Sequence, residues 1–274
     1  MGRLFRALAF FCAIFAFTGS ASAVLVDWSA QNWPAGSLSN SYDVDPASSG
    51  NDVTITVSGD TGQLQPSLVS PNPQTPAITR AFDGGLGISP LTLELALNLT
   101  SHAQSVIFTL DFSALYAAGV SNVSFTIFDI DANNISGSTY QDVISGIHAT
   151  STTGTLIAPT ITGVGVNATL TGTGLSQVLT GQSSTTDLGA GSDAGNAIIS
   201  FNTSNIASIT FTYGSSSLFA DPTYQHIGIY NIDYTVVPEP GALGGCAAIA
   251  ILAVWKSRRR QRSRANILSN GIGY

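Results

Sequence analysis

Short stretches in which every second side chain is apolar, with mostly hydroxyl-bearing residues between, recur along this chain. Val53-Thr54-Ile55-Thr56-Val57 is one, and Val106-Ile107-Phe108-Thr109-Leu110, Val123-Ser124-Phe125-Thr126-Ile127 and Ile209-Thr210-Phe211-Thr212-Tyr213 are others. Side chains of a strand point alternately to its two faces, so a period of two predicts a strand with one buried face and one wet face. Clusters of Gly, Asn, Ser and Asp separate these runs, and Ile227 to Tyr234 predicts a last strand. No stretch of the body keeps a helical period; Ser113 to Ala118 suits one short turn. Gln65 to Pro76 holds Pro66, Pro71, Pro73 and Pro76, which argues for a long loop rather than a strand. The Gly/Thr-rich stretch from Thr152 to Gly181 suits a loop or a weak edge strand. Many short strands in one domain predict an all-β ectodomain over residues 24–235, a two-layer jelly-roll-like β-sandwich. A barrel or a parallel β-helix is the alternative, and the lack of a fixed-period repeat counts against the β-helix.

Charge divides the chain sharply. Residues 24–237 hold a single basic side chain, Arg80, against fifteen acids, a formal charge of −14, whereas the whole chain carries −7. A body this acidic excludes nucleic acid as a partner, because the phosphate backbone needs a basic surface. It suits divalent cations and favours solubility outside the cell. Cys12 and Cys246, the two cysteines, both lie outside that body. Disulfides, cysteine zinc sites and thiol nucleophiles are therefore excluded from it.

The basic residues cluster at the two ends. Arg3 and Arg6 precede an apolar run from Ala7 to Phe17, and Ala21-Ser22-Ala23 supplies small residues in an Ala-x-Ala pattern. Residues 1–23 thus read as a secretory signal peptide that signal peptidase cleaves after Ala23, leaving Val24 as the new amino terminus. At the other end, Val236-Val237-Pro238-Glu239-Pro240 is followed by an uncharged run from Gly241 to Trp255 and then by Lys256 and five arginines, among them Arg258, Arg259 and Arg260. The prolines keep the chain extended before the run, and Glu239 resists entry into hydrocarbon. A helix of that run is about 22 Å long at roughly 1.5 Å per residue, short against a hydrocarbon core of about 30 Å, which suits a temporary transmembrane anchor. The basic stop, residues 256–264, stays on the cytoplasmic side, with residues 265–274 as a short cytoplasmic tail.

In this order of parts, over about residues 237 to 264, the chain resembles the PEP-CTERM proteins of bacteria. In that family Val-Pro-Glu-Pro, a hydrophobic helix and an arginine cluster are recognised by an exosortase, a membrane-embedded cysteine transpeptidase-like enzyme. The resemblance implies that Val237, Pro238, Glu239 and Pro240 belong to the processing segment. It also implies cleavage there and release or transfer to the cell surface. The PEP-CTERM proteins are associated with exopolysaccharide and biofilm formation.

One cluster within the body has the chemistry of a metal site. Asp129 and Asp131 lie at the predicted end of a strand, with Asn133 and then Asp142 beyond. Carboxylates and an amide that converge could hold a structural Ca2+ through hard oxygen ligands. The spacing begins like an EF-hand loop, but Asn134 stands where that loop needs Gly and Tyr140 where it needs Glu. Enzyme motifs are thin. His102, His148 and His226 are scattered and read as surface or loop residues, Glu94 is the body's one glutamate, and there is no nucleophile elbow or phosphate loop. Trp28, Trp33, Tyr42, Tyr224 and Tyr230 could stack on sugars if exposed and are core if buried.

The reading is a non-catalytic exported protein of the bacterial cell envelope. Its precursor is anchored in the inner membrane and its mature form is at the cell surface or secreted. The implied partners are signal peptidase and the secretion machinery, an exosortase, the membrane as a transient anchor, and extracellular polysaccharide. A secreted polysaccharide-active hydrolase is the alternative.

Overall fold

The computed structural model describes residues 22–237 other than 89, 136–137, 183–191 and 220. Ala21, the apolar run expected to be a transmembrane helix (241–255), Pro238, Glu239, Pro240, the basic stop with Arg258, Arg259 and Arg260, and the tail at 265–274 lie outside the described residues. Among the described residues no helix is long and apolar enough to cross a membrane.

The compact unit runs from Ser22 to Val237 and is all-β, as the alternation predicts. The strands in its first half are β1 (Ala23–Val26), β2 (Ser39–Tyr42), β3 (Val53–Gly59), β4 (Ala77–Thr79), β5 (Thr92–Asn98), β6 (Ser105–Asp111) and β7 (Val120–Phe128). There follow β8 (Ala132–Ile135), β9 (Ser138–Ser151), β10 (Leu156–Ile157), β11 (Thr160–Thr162), β12 (Ala168–Thr171) and β13 (Val178–Gly181). The last three are β14 (Ala197–Phe201), β15 (Ile206–Ser215) and β16 (Tyr224–Val236). Each of the four alternating runs named above lies within a strand, and Ile227 to Tyr234 lies within β16. The stretch from Thr152 to Gly181 resolves into the short strands β10 to β13.

Every pairing is antiparallel, and the sheet has two halves. One runs β2-β3-β6-β15-β9-β13-β12. The other runs β4-β5-β16-β7-β14-β11, with β1 beside the far end of β16. A single residue pair, Ile206 with Val120, joins β15 to β7 and makes the two halves one curled sheet. Their apolar faces share one core. Phe211 of β15 stacks on Phe108 of β6 at 4.9 Å and on Phe125 of β7 at 6.2 Å. Tyr234 of β16 lies 4.9 Å from Phe112. Trp28, Trp33 and Tyr42 are buried in the same core, so they are packing residues rather than a sugar platform. Burial raises the Tyr42 phenol to about 12, against a hydrogen bond from Asn40 that lowers it.

Two details position the sites below. The proline-rich loop from Gln65 to Pro76 lies over β5: Gln65 donates its N–H to the Ala96 carbonyl, and Thr75 exchanges hydrogen bonds with the Ala96 backbone. The chain also enters and leaves this unit at one corner. Ala23 pairs with Thr235, and the Val236 N–H donates to the Ser22 carbonyl at 2.9 Å.

Candidate functional site

Strand β7 ends at Phe128, and Asp129 adopts a left-handed backbone with φ 69°. Asp and Asn enter that region more readily than other L-residues because their short polar side chains can bond locally. The turn sends the acidic residues of this segment in different directions. The Asp129 Oδ2 lies 3.3 Å from Nε2 of His226. Asp131 turns to the interior beside Asp142, where neither side chain meets water. The Asp142 N–H donates to the Asp131 carbonyl at 2.9 Å, and the Asp131 N–H donates to Asp142 Oδ2 at 3.1 Å. Asn133 is buried in β8, opposite Tyr140 of β9.

Glycines hold this segment in place. A Cβ on residue 181 would collide with the Asp131 carbonyl, and one on residue 195 would press on the backbone of Asp129 and Ile130. The Gly195 carbonyl accepts the Ile130 N–H at 2.7 Å, and the Gly181 carbonyl accepts from Nε2 of Gln141 at 2.7 Å. Both close approaches need the missing side chain.

Electrostatics follow from burial. Burial, then the Asp131 charge, pushes the Asp142 carboxyl well above the usual carboxylate range, against hydrogen bonds from the Asp131 N–H and the Tyr213 hydroxyl. Tyr213 and Tyr140 are pushed up as well, first by burial and then by the Asp142 charge. A carboxyl that is fully buried beside another acid favours its neutral form. Among the described residues no group of three or more His, Cys, Asp or Glu side chains is arranged to hold a metal ion. Of the four residues predicted as ligands, Asp131 and Asp142 are brought together, and Asp129 is turned to His226.

On the outward side of β5 and β16 lies a second polar group that the sequence did not disclose. Glu94 is fully buried there. Its Oε2 accepts from the hydroxyls of Ser67 at 2.6 Å and Thr79 at 2.7 Å, and its Oε1 lies 3.3 Å from Nδ1 of His226. His226 thus bridges Glu94 and Asp129. Its ring packs against Phe82 at 4.8 Å and Tyr224 at 5.5 Å. Burial lowers the His226 pKa, but the Glu94 hydrogen bond and the charges of Asp129, Glu94 and Asp131 outweigh it and raise the imidazole above its ordinary value. Burial raises Glu94, and hydrogen bonds from His226, Ser67 and Thr79 bring it below its ordinary value. The sequence signal was Leu93-Glu94-Leu95, a lone carboxylate within an apolar strand. Such a group needs a partner, and His226 on the neighbouring strand supplies it. His102 and His148 lie away from this group, His102 exposed in a turn and His148 on the outward side of β9.

Of the processing residues, Ala23 is the first residue of β1 and exposed, and Val24 beside it is buried. Val237 is the last described residue.

No family model matches this sequence, and no curated protein matches it. Several solved structures are similar. A family 11 carbohydrate-binding module from Clostridium thermocellum, in complex with a β-1,3-1,4-mixed-linked tetrasaccharide, is 13% identical over 79% of this chain and 96% of its own, with a TM-score of 0.28. A carbohydrate-binding module that recognises mannan is 16% identical over 66% of this chain and 89% of its own, with a TM-score of 0.27. The N-terminal domain of a Streptococcus gordonii adhesin is 10% identical over 82% of this chain and 54% of its own, with a TM-score of 0.31. Likenesses this distant carry no ligand over to this chain.

Proposed function

We propose that this chain is an exported, non-catalytic protein of the bacterial cell envelope, processed by an exosortase and associated with extracellular polysaccharide. The observation that carries the reading is the order of parts after the ectodomain: Pro238-Glu239-Pro240, an uncharged run to Trp255, and five arginines. The amino-terminal Arg3 and Arg6, the apolar run to Phe17 and the Ala21-Ser22-Ala23 pattern support export. The acidic, cysteine-free body, taken as a jelly-roll-like sandwich, suits a soluble ectodomain held outside the inner membrane until cleavage. In this reading a structural Ca2+ would be held by Asp131 and Asp142, where a divalent cation would take the place of the proton that burial favours on Asp142.

The decisive measurement is the intact mass of the protein recovered from cells that carry an exosortase. A mass lacking residues 1–23 and the segment after about Pro238 supports the reading. A product that keeps its apolar run and arginines is a plain membrane anchor and overturns it. The hydrolase alternative predicts new reducing ends on incubation with polysaccharide, lost with a single aspartate substitution.

A further inference from the structure

The half-sheet β2-β3-β6-β15-β9 has an outward face made of hydroxyls in register. Ser39 pairs with Thr56, Thr56 with Thr109, Thr109 with Thr210, and Thr210 with His148, so one continuous row crosses five strands. A parallel row runs Ser41, Thr54, Asp111, Ser208, Thr150. The register is locked from the other side, where Val53, Ile55, Val57, Phe108, Leu110 and Phe211 are buried in the core. The hydroxyls are partly exposed, and none of the exposed large hydrophobic side chains lies in either row.

Ser39 and Thr56 bond each other at 3.1 Å, and Ser41 and Thr54 at 2.8 Å. Among the described residues the side chains of Thr109 and Thr210 make no hydrogen bond within the protein. Each hydroxyl offers one donor and two acceptor positions. Successive hydroxyls along a row step by about 4.8 Å, the spacing of neighbouring strands, and five strands span roughly 19 Å. One step is comparable with the length of one pyranose unit.

We infer that this outward face binds a neutral polysaccharide chain laid across the strands, each row hydrogen-bonding successive sugars. Charge selects that occupant. The body carries fifteen acids and one arginine, yet of the ten side chains in the two rows only Asp111 and His148 can bear charge. An uncharged partner meets this face without repulsion from the surrounding acids, whereas an acidic polymer is repelled. Shape selects a single chain. Strands twist by about 20–25° each, so the rows are curved and do not match a flat crystalline surface.

This inference rests on the polysaccharide association proposed above and adds its location. The test uses the full chain in detergent, with soluble β-1,3-1,4-glucan, mannan, polygalacturonate and crystalline cellulose as probes in affinity electrophoresis and pull-down. The variant is Thr56→Val with Thr109→Val and Thr210→Val, which keeps β-branched side chains and removes the hydroxyls. The control is Ser124→Ala with Ser200→Ala, a hydroxyl pair at 3.0 Å on the other half-sheet. The expected result is retention by the soluble glucan or mannan, weakened about a hundredfold in the triple variant, the scale of three lost hydrogen bonds at about 1 kcal/mol each. The control and the thermal midpoint stay unchanged. Wild-type binding that survives in a folded triple variant overturns this face while leaving polysaccharide association standing. Preference for polygalacturonate or crystalline cellulose overturns it as well. Binding to none of the four overturns both, and the cellular mass still decides the sorting route.

Discussion

Tyr213 donates its phenol hydroxyl to Oδ1 of Asp142 at 2.8 Å, and neither side chain is exposed to water. Asp142 Oδ2 accepts the Asp131 N–H. Both carboxyl oxygens are therefore engaged, and the cost of the site lies in its charge. The folded-state pKa of Asp142 is raised above its ordinary 3.8, so its contribution to stability is full below that value and is lost as pH rises through the raised folded value. Asp142→Asn keeps an acceptor for the Asp131 N–H and can donate to the Tyr213 oxygen. The expected outcome, in chelator, is a variant within about 1 kcal/mol of wild type in acid and equal or more stable in alkali. Asp142→Ala strands both donors and is expected to cost about 2–4 kcal/mol. Thermal melts across the pH range check both, and an Asn variant that loses stability in parallel with wild type would remove Asp142 as the cause.

The His226 bridge gives a second and opposite pair of pH limbs. His226 is raised above 6.5, so its stabilisation is complete below 6.5 and lost as pH rises through the higher folded value. Glu94 is lowered below 4.5, so its stabilisation holds above 4.5 and is lost as pH falls through the lower folded value. Glu94→Leu removes the acceptor of Ser67, Thr79 and His226 together. It is expected to cost about 3–5 kcal/mol, the loss typical of breaking a buried charged pair. In Glu94→Gln the His226 titration, followed by NMR, is expected to move down toward the ordinary value. A His226 titration unmoved by that change would disprove the bridge.

The body's all-β character was legible because the sequence writes its strand faces plainly, whereas the joining of the two halves into one curled sheet through Ile206 and Val120 was not. Thr54, Thr56, Thr109, Thr210 and Thr212 alternate with core residues, and the alternation alone places them outward. The sites were less legible because a long-range pairing decides them. Nothing local says that Asp129 will take a left-handed turn and face His226, nearly one hundred positions on. The Asp131 and Asp142 contact depends on the β8–β9 hairpin and on the glycines at 181 and 195, whose need for a bare Cα is set by a neighbour distant in sequence. Aromatic residues were ambiguous for the same reason: Trp28 and Tyr224 carry similar rings, and only the packing buries one and leaves the other half-exposed.

Calcium gives a discriminating melt. If a cation displaces the proton that burial favours on Asp142, added Ca2+ raises the thermal midpoint relative to chelator, a stabilisation of about 2.7 kcal/mol at a hundred times Kd. The effect is expected to grow with pH, since the ion competes with a proton. It is expected to vanish in Asp142→Asn, which halves the charge of the pair. A midpoint identical in Ca2+ and chelator rules the ion out.

Gly181→Ala tests the clamp on the acidic segment. The new methyl would meet backbone, the Asp131 carbonyl, rather than a side chain able to swing away. Overpacking of this kind is expected to cost about 1–3 kcal/mol. The paired control is Gly62→Ala, where a Cβ meets nothing within 4 Å and stability should be unchanged. Equal effects at both positions would mean that the segment yields freely.

The carboxyl-terminal proposal predicts which part of the tail does what. In that proposal Arg258, Arg259 and Arg260 would block translocation, so replacing all three with Gln is expected to let the segment slip outward and lower the yield of processed protein. In the same proposal Pro238, Glu239 and Pro240 would serve recognition rather than stopping, so replacing them with Ala should leave the protein membrane-bound and full-length at its carboxyl end. The two outcomes differ by fractionation: the first variant loses membrane retention, and the second gains it. The ectodomain should be indifferent to both, because strand β1 and the end of β16 close the same corner upstream of residue 238. A Pro-Glu-Pro variant processed at the wild-type rate would leave the triplet without a role in sorting.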